Sequence, residues 1–332
     1  MKRGCTMKRN NIYDFTYYND IKHEERVRKI KMILTVIIIS VTTMLIILSK
    51  ILFGNTTNST EVNAEVKYSE EELKAIEEEE KQKELESLEQ ERIKKEEEER
   101  LAREAKLPKL TEVGIQNLEN IYHSEEKRVF LTFDDGPSPV TNQILDTLRE
   151  NDIKATFFVL GTSVKNFPET TKKIYDEGHF IANHGYSHVY SSIYSSKEAV
   201  LDEYNRCNDA VKEALGEPEF NSHLFRFPGG LPGGKYANLK QEAKQLLNEN
   251  GILNIDWNAL SGDAEKQNPT PEYLMERIRV TSEGKNSIVV LMHDAAAKKT
   301  TADMLPEIIA YYREQGYEFK SFYDIFNTNY EQ

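Results

Sequence analysis

Cysteine is nearly absent from this chain. Cys5 and Cys207 are the two among 332 residues, and a long apolar run separates them. That run reads as a membrane crossing, so the two thiols lie on opposite sides of it and cannot pair. A disulfide framework and a CxxC metal motif are both excluded. Cys207 reads instead as a small buried residue on a helix over 197–215. Also missing is any basic stripe interleaved with aromatics. The formal net charge is -13, and an acidic exterior argues against a nucleic-acid partner, whose phosphates need a basic surface. Glycine and proline are absent from Glu71 to Leu107, so nothing there breaks a helix.

Long apolar runs are scarce too, and the one that exists is informative. MILTVIIISVTTMLIIL, Met32 to Leu48, carries no charge and shows no polar face; Ser49, Lys50 and the apolar trio Ile51–Phe53 follow. Its length suits a single transmembrane helix. Lys2, Arg3, Lys8, Arg9, Lys22, Arg26, Arg28, Lys29 and Lys31 precede it. The positive-inside rule then makes 1–31 a cytoplasmic tail and places everything after the span outside the cell membrane. No small-x-small cleavage site follows, so 32–53 reads as an uncleaved single-pass anchor.

Residues 54–107 read as a spacer. A breaker-rich linker over Asn55–Val66 leads into EELKAIEEEEKQKELESLEQERIKKEEEERLAREAKL, built of strong helix formers. Many of its glutamates stand three or four residues before a lysine or arginine, which supports an exposed helix. Leu73, Ile76, Leu85, Leu88, Ile93 and Leu101 are too sparse for a heptad seam. A solvated helix of that length spans about 55 Å. Pro108 ends it, and a globular domain is expected over 111–330.

That domain alternates strand-like and helix-like segments. RVFLTF (128–133), ATFFVL (155–160), HFIAN (179–183), LFRF (224–227), LNIDWN (253–258), SIVVLMH (287–293) and YEFKSF (317–322) read as strands. Helices are expected near 141–151, from 168, and over 197–215, 239–250, 271–283 and 303–315. Repeated β-α units predict an α/β fold: a distorted (β/α) barrel of about seven mostly parallel strands. Such barrels carry their chemistry at the C-terminal strand ends. Those ends here hold Asp134 and Asp135, His184 and His188, Arg226 before Pro228-Gly229-Gly230, Trp257 with Asp263 six residues on, and Leu291, His293 and Asp294.

His184 and His188 form an i, i+4 pair, which on a helical turn puts both imidazoles on one face. A carboxylate from the first strand would complete a three-ligand set with open positions, the pattern of hydrolytic zinc. Cobalt, nickel and manganese suit similar donors.

TFDDG (Thr132–Gly136), HGYSH (His184–His188), RFPGG (Arg226–Gly230), Trp257 with Asp263, and LMH (Leu291–His293) together resemble the five motifs of polysaccharide deacetylases of the NodB-homology type, carbohydrate esterase family 4. The resemblance covers about Arg128 to Phe322. It implies metal-dependent hydrolysis of an N-acetyl group on an amino sugar. By it, Asp135, His184 and His188 are metal ligands for one divalent ion, zinc by default. Asp134 is the general base, paired with Arg226. His293 is the acid, supported by Asp263. The Gly229 N–H serves the oxyanion, and Leu291 and Trp257 form an apolar pocket for the acetyl methyl. Two departures stand out: Gly185 replaces a frequent Ser or Thr, and Gly229 replaces a usual Tyr. With an outward-facing anchor, the expected substrate is cell-wall glycan, first of all N-acetylglucosamine of bacterial peptidoglycan, which would confer lysozyme resistance. N-acetylmuramic acid, poly-N-acetylglucosamine and chitin oligomers are the alternatives within that chemistry. A catalytically silent glycan-binding wall module is the alternative outside it. Nothing in the sequence bears on oligomeric state.

Overall fold

Residues 69–326 are described by the computed structural model. The expected cytoplasmic tail, the segment 32–53 and the linker up to residue 68 lie outside the described residues, as do 327–332. Among the described residues no helix is long and apolar enough to cross a membrane. The chain divides into two compact units after Glu84.

That division falls within the first helix, α1 (Glu70–Lys106), which buries none of its residues. Its surface is laced with ion pairs such as Arg92–Glu89, Lys95–Glu99 and Arg100–Glu97. Each such exposed pair adds little by itself, but none needs a partner element. A solvated helix is thus what this composition produces. After it come Pro108 and a short helix α2 (Glu112–Glu119), capped by the Thr111 hydroxyl on Gly114 N.

The remaining elements alternate. Strands are β1 (Arg128–Asp134), β2 (Thr156–Val159), β3 (Phe180–Asn183), β4 (Leu224–Phe225), β5 (Leu253–Asn254), β6 (Ala259–Leu260), β7 (Ser287–His293) and β8 (Glu318–Lys320). Helices are α3 (Pro139–Glu150), α4 (Gly161–Asn166), α5 (Pro168–Asp176), α6 (Tyr190–Ile193), α7 (Lys197–Leu215), α8 (Ala237–Glu249), α9 (Pro271–Ser282), α10 (Lys299–Glu314) and α11 (Tyr323–Phe326). Local signals account for several ends. Ser138 and Thr141 form a capping box at α3, with Pro139 opening the helix. Thr270 caps α9, and left-handed Gly216 closes α7.

All strand pairs are parallel, in the order β5-β4-β3-β2-β1-β7-β6. β8 is an eighth strand that shares one edge of β1 with β2: it takes Arg128–Phe130, and β2 takes Thr132–Asp134. The sheet curls, and its path ends at β5 and β6 without a ladder between them. Here the expected strand LNIDWN (253–258) is corrected. Its first two residues pair with β4, while Asn258 N donates to Val289 O and Asn258 Oδ1 accepts from Val289 N on β7, next to the far edge. The run is therefore not one strand but a crossing segment, and covalent chain joins the two edges of the curled sheet. A single strand cannot pair at both edges at once, so the ladder breaks over 255–258.

Period-two alternation sorts the core. Val129, Leu131, Phe133, Phe157, Val159, Ile181, Ile288, Val290 and Met292 face outward under the helices. Phe130, Phe158, Phe180, Ala182, Leu224 and Val289 face inward. Phe322, expected at the end of a strand, instead plugs the interior, with ring centroids 5.4 Å from Phe130, 6.2 Å from Phe158 and 6.1 Å from Phe180. Above this aromatic floor the inward rows turn polar. They read Phe130–Thr132–Asp134, Phe180–Ala182–His184, Leu224–Arg226 and Val289–Leu291–His293. The same alternation that fills the floor thus delivers the reactive residues to one mouth.

Candidate active site

Asp134 is the last residue of β1 and is buried. Its Oδ1 accepts from Arg226 Nη1 at 2.8 Å, and its Oδ2 lies 3.8 Å from His184 Nε2. Asp135 leaves the strand with a φ of 75°. That left-handed turn, tolerated by Asp at a cost of about 1–2 kcal/mol, swings its carboxylate to the same mouth. Asp135 Oδ1 stands 3.6 Å from His184 Nε2 and 3.5 Å from His188 Nε2. One ligand atom from each of these three residues lies within 4.8 Å of the others.

HGYSH is not a helical turn, as the i, i+4 spacing suggests, but a loop. Gly185 has a φ of 89° and His188 a φ of 58°. The imidazoles converge, their centroids 5.3 Å apart, because the loop is held from behind. Buried Glu203, on α7, accepts from Tyr186 N and Ser187 N at 2.7 Å each and from the Ser187 hydroxyl at 2.8 Å. Asn183 Oδ1 accepts from Gly185 N. Gly185 suits this position because of its φ, and because a Cβ there would sit 3.2 Å from Ile193 Cδ1.

These residues fit a cation. His184 Nδ1 meets the Arg226 carbonyl oxygen at 2.8 Å, which fixes the proton on Nδ1 and turns the Nε2 lone pair toward Asp135. Burial holds the His184 imidazole down to about 3, so it is neutral and able to ligate. Asp135 Oδ1 is buried with no hydrogen-bond partner among the described residues. An unpartnered carboxylate oxygen facing an imidazole lone pair is unfavourable unless a cation stands between them.

Arg226 is fully buried, and its guanidinium makes four hydrogen bonds. Nη1 also donates to Thr132 Oγ1, Nη2 to Asp256 O and Nε to Ile255 O, while the guanidinium lies 3.9 Å from the Phe158 ring centroid. One residue thereby orients Asp134 through its side chain and His184 through its carbonyl. Burial pushes the Asp134 carboxyl up; the Arg226 and His293 charges oppose that without reversing it.

Across the mouth, His293 Nδ1 meets Asp263 Oδ1 at 2.7 Å. Asp263 Oδ2 accepts from His293 N and from the Thr301 hydroxyl. Burial alone would lower the imidazole, but the Asp263 hydrogen bond and the charges of Asp263, Asp134 and Asp135 raise it to about 9. Burial likewise opposes Asp263 ionisation, yet its bonds to His293 and Thr301 hold it below the usual carboxylate range.

Gly229 is exposed on a loop pinned by its neighbours. The Tyr194 hydroxyl donates to Pro228 O, Lys240 Nζ to Gly230 O, and Leu231 N to the Asp256 carboxylate. Leu291 is half-buried in the inward row of β7, two residues below His293. Trp257 is half-buried in the crossing segment, 5.7 Å from the Arg226 guanidinium and close under Gly230.

Several contributors were not singled out by sequence. Glu203 and Asn183 look like ordinary helix and strand residues, and only contacts reveal them as loop holders. Asp294, placed at a strand end by sequence but given no role there, is buried. Its Oδ2 accepts from Thr141 Oγ1 at 2.6 Å, and burial, with the charges of Asp135 and Asp134, pushes it up to about 7. A Cβ at Gly136 would lie 2.0 Å from that carboxylate, so glycine is what lets the turn after Asp135 pass over it.

The family model for polysaccharide deacetylase matches residues 122–251. A Bacillus cereus peptidoglycan-N-acetylglucosamine deacetylase is 31% identical over 204 residues, covering 60% of this chain and 71% of that protein. Among solved structures, a Streptococcus mutans CE4 esterase superposes with a TM-score of 0.57 at 32% identity, covering 64% of this chain and 92% of that one. The catalytic domain of the peptidoglycan N-acetylglucosamine deacetylase from Eubacterium rectale gives 0.54 at 32% identity, covering 60% and 90%.

Proposed function

This chain belongs to the polysaccharide deacetylase family, and from that premise we propose that it removes acetyl groups from N-acetylglucosamine of peptidoglycan by metal-dependent amide hydrolysis. The observation that carries the reading is the division of the mouth into an unpartnered ligand cluster on one side and a carboxylate-backed imidazole on the other. Asp135, His184 and His188 would hold one divalent cation, zinc by donor type. Such an ion polarises a carbonyl oxygen and lowers the pKa of water. The other steps belong to side chains. Asp134, held by Arg226, takes the proton of the attacking water, and its raised pKa makes it a better base near neutrality. The Gly229 N–H donates to the acetyl oxygen as charge develops there. His293, kept protonated by Asp263, gives its proton to the departing amine. Leu291 and Trp257 supply apolar surface for the acetyl methyl. A glycan-binding module would have no use for an oriented base facing an oriented acid.

The segment 32–53 would anchor the chain, with residues 1–31 in the cytoplasm and the catalytic domain on the wall side. The support is the uncharged run and the basic residues before it. Deacetylated glycan would be a poorer lysozyme substrate.

The test is acetate release with mass spectrometry of muropeptides from wall treated with the soluble domain, with and without chelator. Chelator-sensitive loss of acetyl mass from N-acetylglucosamine is expected. Absence of acetate from every wall glycan would end the enzyme reading, and loss from N-acetylmuramic acid alone would change the substrate. Asp134→Asn should retain metal and lose turnover, whereas Asp135→Ala should lose metal.

A further inference from the structure

Tyr190 opens α6, two residues after His188, and is 41% exposed. Its ring centroid lies 5.5 Å from that of His188 and 5.6 Å from that of Tyr194, against which it packs edge-on. Tyr194 in turn bonds Pro228 O, so both tyrosines belong to the wall around the Gly229 loop. The Tyr190 hydroxyl has no hydrogen-bond partner among the described residues. It nevertheless occupies a particular place: a Cβ on Gly229 would lie 2.6 Å from it. Amide nitrogen and Cβ of one residue are about 2.5 Å apart by covalent geometry, so the hydroxyl is within roughly 5 Å of the Gly229 N–H. The space a side chain at 229 would take is filled from another element, by a free donor next to the ligand cluster.

We infer that the Tyr190 hydroxyl is a second hydrogen-bond donor to the acetyl oxygen, acting beside the Gly229 N–H. This rests on the proposed deacetylase reading and adds a substrate-contacting residue to it. Tyr190 is exposed, so its hydroxyl is accessible to substrate. The surrounding loop is held by Tyr194, Lys240 and Asp256, so the Gly229 N–H keeps its place. Glycine suits 229 on two counts: its φ is 75°, and a Cβ there would displace the hydroxyl.

Tyr190→Phe removes the donor and keeps the ring. Loss of one oxyanion donor commonly costs about 10²–10³ in kcat; for an exposed hydroxyl the expected loss is smaller, roughly 10- to 100-fold in kcat, with KM within about twofold. Metal stoichiometry and melting temperature should not move. Calorimetric affinity for a tetramer of N-acetylglucosamine, measured in an Asp134→Asn background, should also be unchanged, because the donor matters where charge develops. Gly229→Ala provides a second arm. The strain of a side chain at a φ of 75° is common to both backgrounds, so the activity cost should be smaller, though not abolished, in Tyr190→Phe, where the nearest ring atom to the new Cβ is 3.4 Å away. Unchanged kcat in Tyr190→Phe, weaker tetramer binding with kcat retained, or full additivity of the two changes would each overturn the inference while leaving the deacetylase reading intact. An inactive parent domain would overturn both.

Discussion

Replacing Asp263 with Asn isolates what the His293 partner contributes. In the parent, the Asp263 hydrogen bond and the nearby carboxylates outweigh burial and bring His293 to about 9. Asn keeps the shape and one acceptor for His293 N or the Thr301 hydroxyl, but removes the charge 2.7 Å from Nδ1. Burial, the largest single influence on this imidazole, then acts with less opposition and draws it toward or below its ordinary 6.5. At pH 7.5 an imidazole titrating near 9 is about 97% protonated, and one at 6.5 about 9%. Loss of the protonated acid alone therefore predicts a roughly tenfold fall in kcat/KM at pH 7.5. The alkaline limb of the rate profile should move from near 9 to 6.5 or lower, and the variant should recover activity as the pH is lowered. A pH series of acetate release from wall or from an N-acetylglucosamine oligomer reads both effects. An Asp263→Asn profile that still falls near pH 9 at parental rate would refute His293 as the acid.

The same pair predicts a pH-dependent stability. Folded His293 is raised above 6.5, so its contribution is complete below 6.5 and fades as the pH rises through about 9. Folded Asp263 is lowered, so its contribution is present above 3.8 and lost as the pH falls through its folded value. The melting-temperature gap between parent and Asp263→Asn should therefore be widest between those two ordinary values and narrow toward pH 10; a gap that widens with pH contradicts the assignment. Glu203→Gln removes the charge that two N–H groups and a hydroxyl converge on, and should weaken metal binding by about 10- to 100-fold, read by competition with a chelating dye. Parental affinity would mean the HGYSH loop holds its shape without that carboxylate. Gly136→Ala drives a methyl into the Asp294 carboxylate and should cost about 1–3 kcal/mol in a denaturant melt; a neutral result would show that Asp294 can swing aside.

Much of this molecule follows from local chemistry. The strands of the domain are apolar runs ending in polar residues, and strict alternation along β1 and β7 already separates Asp134 and His293 from the outward row. Lys197–Leu215 is a helix because Ser196 caps it and Gly216 ends it, signals contained in adjacent residues. It is the resemblance to the family's five motifs that singles out Asp134, Asp135, His184, His188, Arg226, Asp263 and His293. The glutamate-rich stretch needs no partner to be helical, so its composition sufficed.

What required tertiary structure is whatever depends on two distant segments meeting. LNIDWN looks like one strand because its apolar content is strand-like; only the pairing of its start with β4 and of Asn258 with β7, toward opposite ends of the sheet, splits it. The histidine pair looks helical by spacing, yet Glu203 and Asn183 pull its backbone into left-handed turns that an i, i+4 count cannot register. The 2.6 Å approach of the Tyr190 hydroxyl to the side-chain position of Gly229 involves residues 39 positions apart in the chain, and no local pattern encodes it. Sequence by itself determined the residue types and the face each strand residue takes, because alternation and capping act over a few bonds. Tertiary structure alone decided which charges neighbour one another and which groups are left without partners, because burial and Coulomb interactions depend on distance through space.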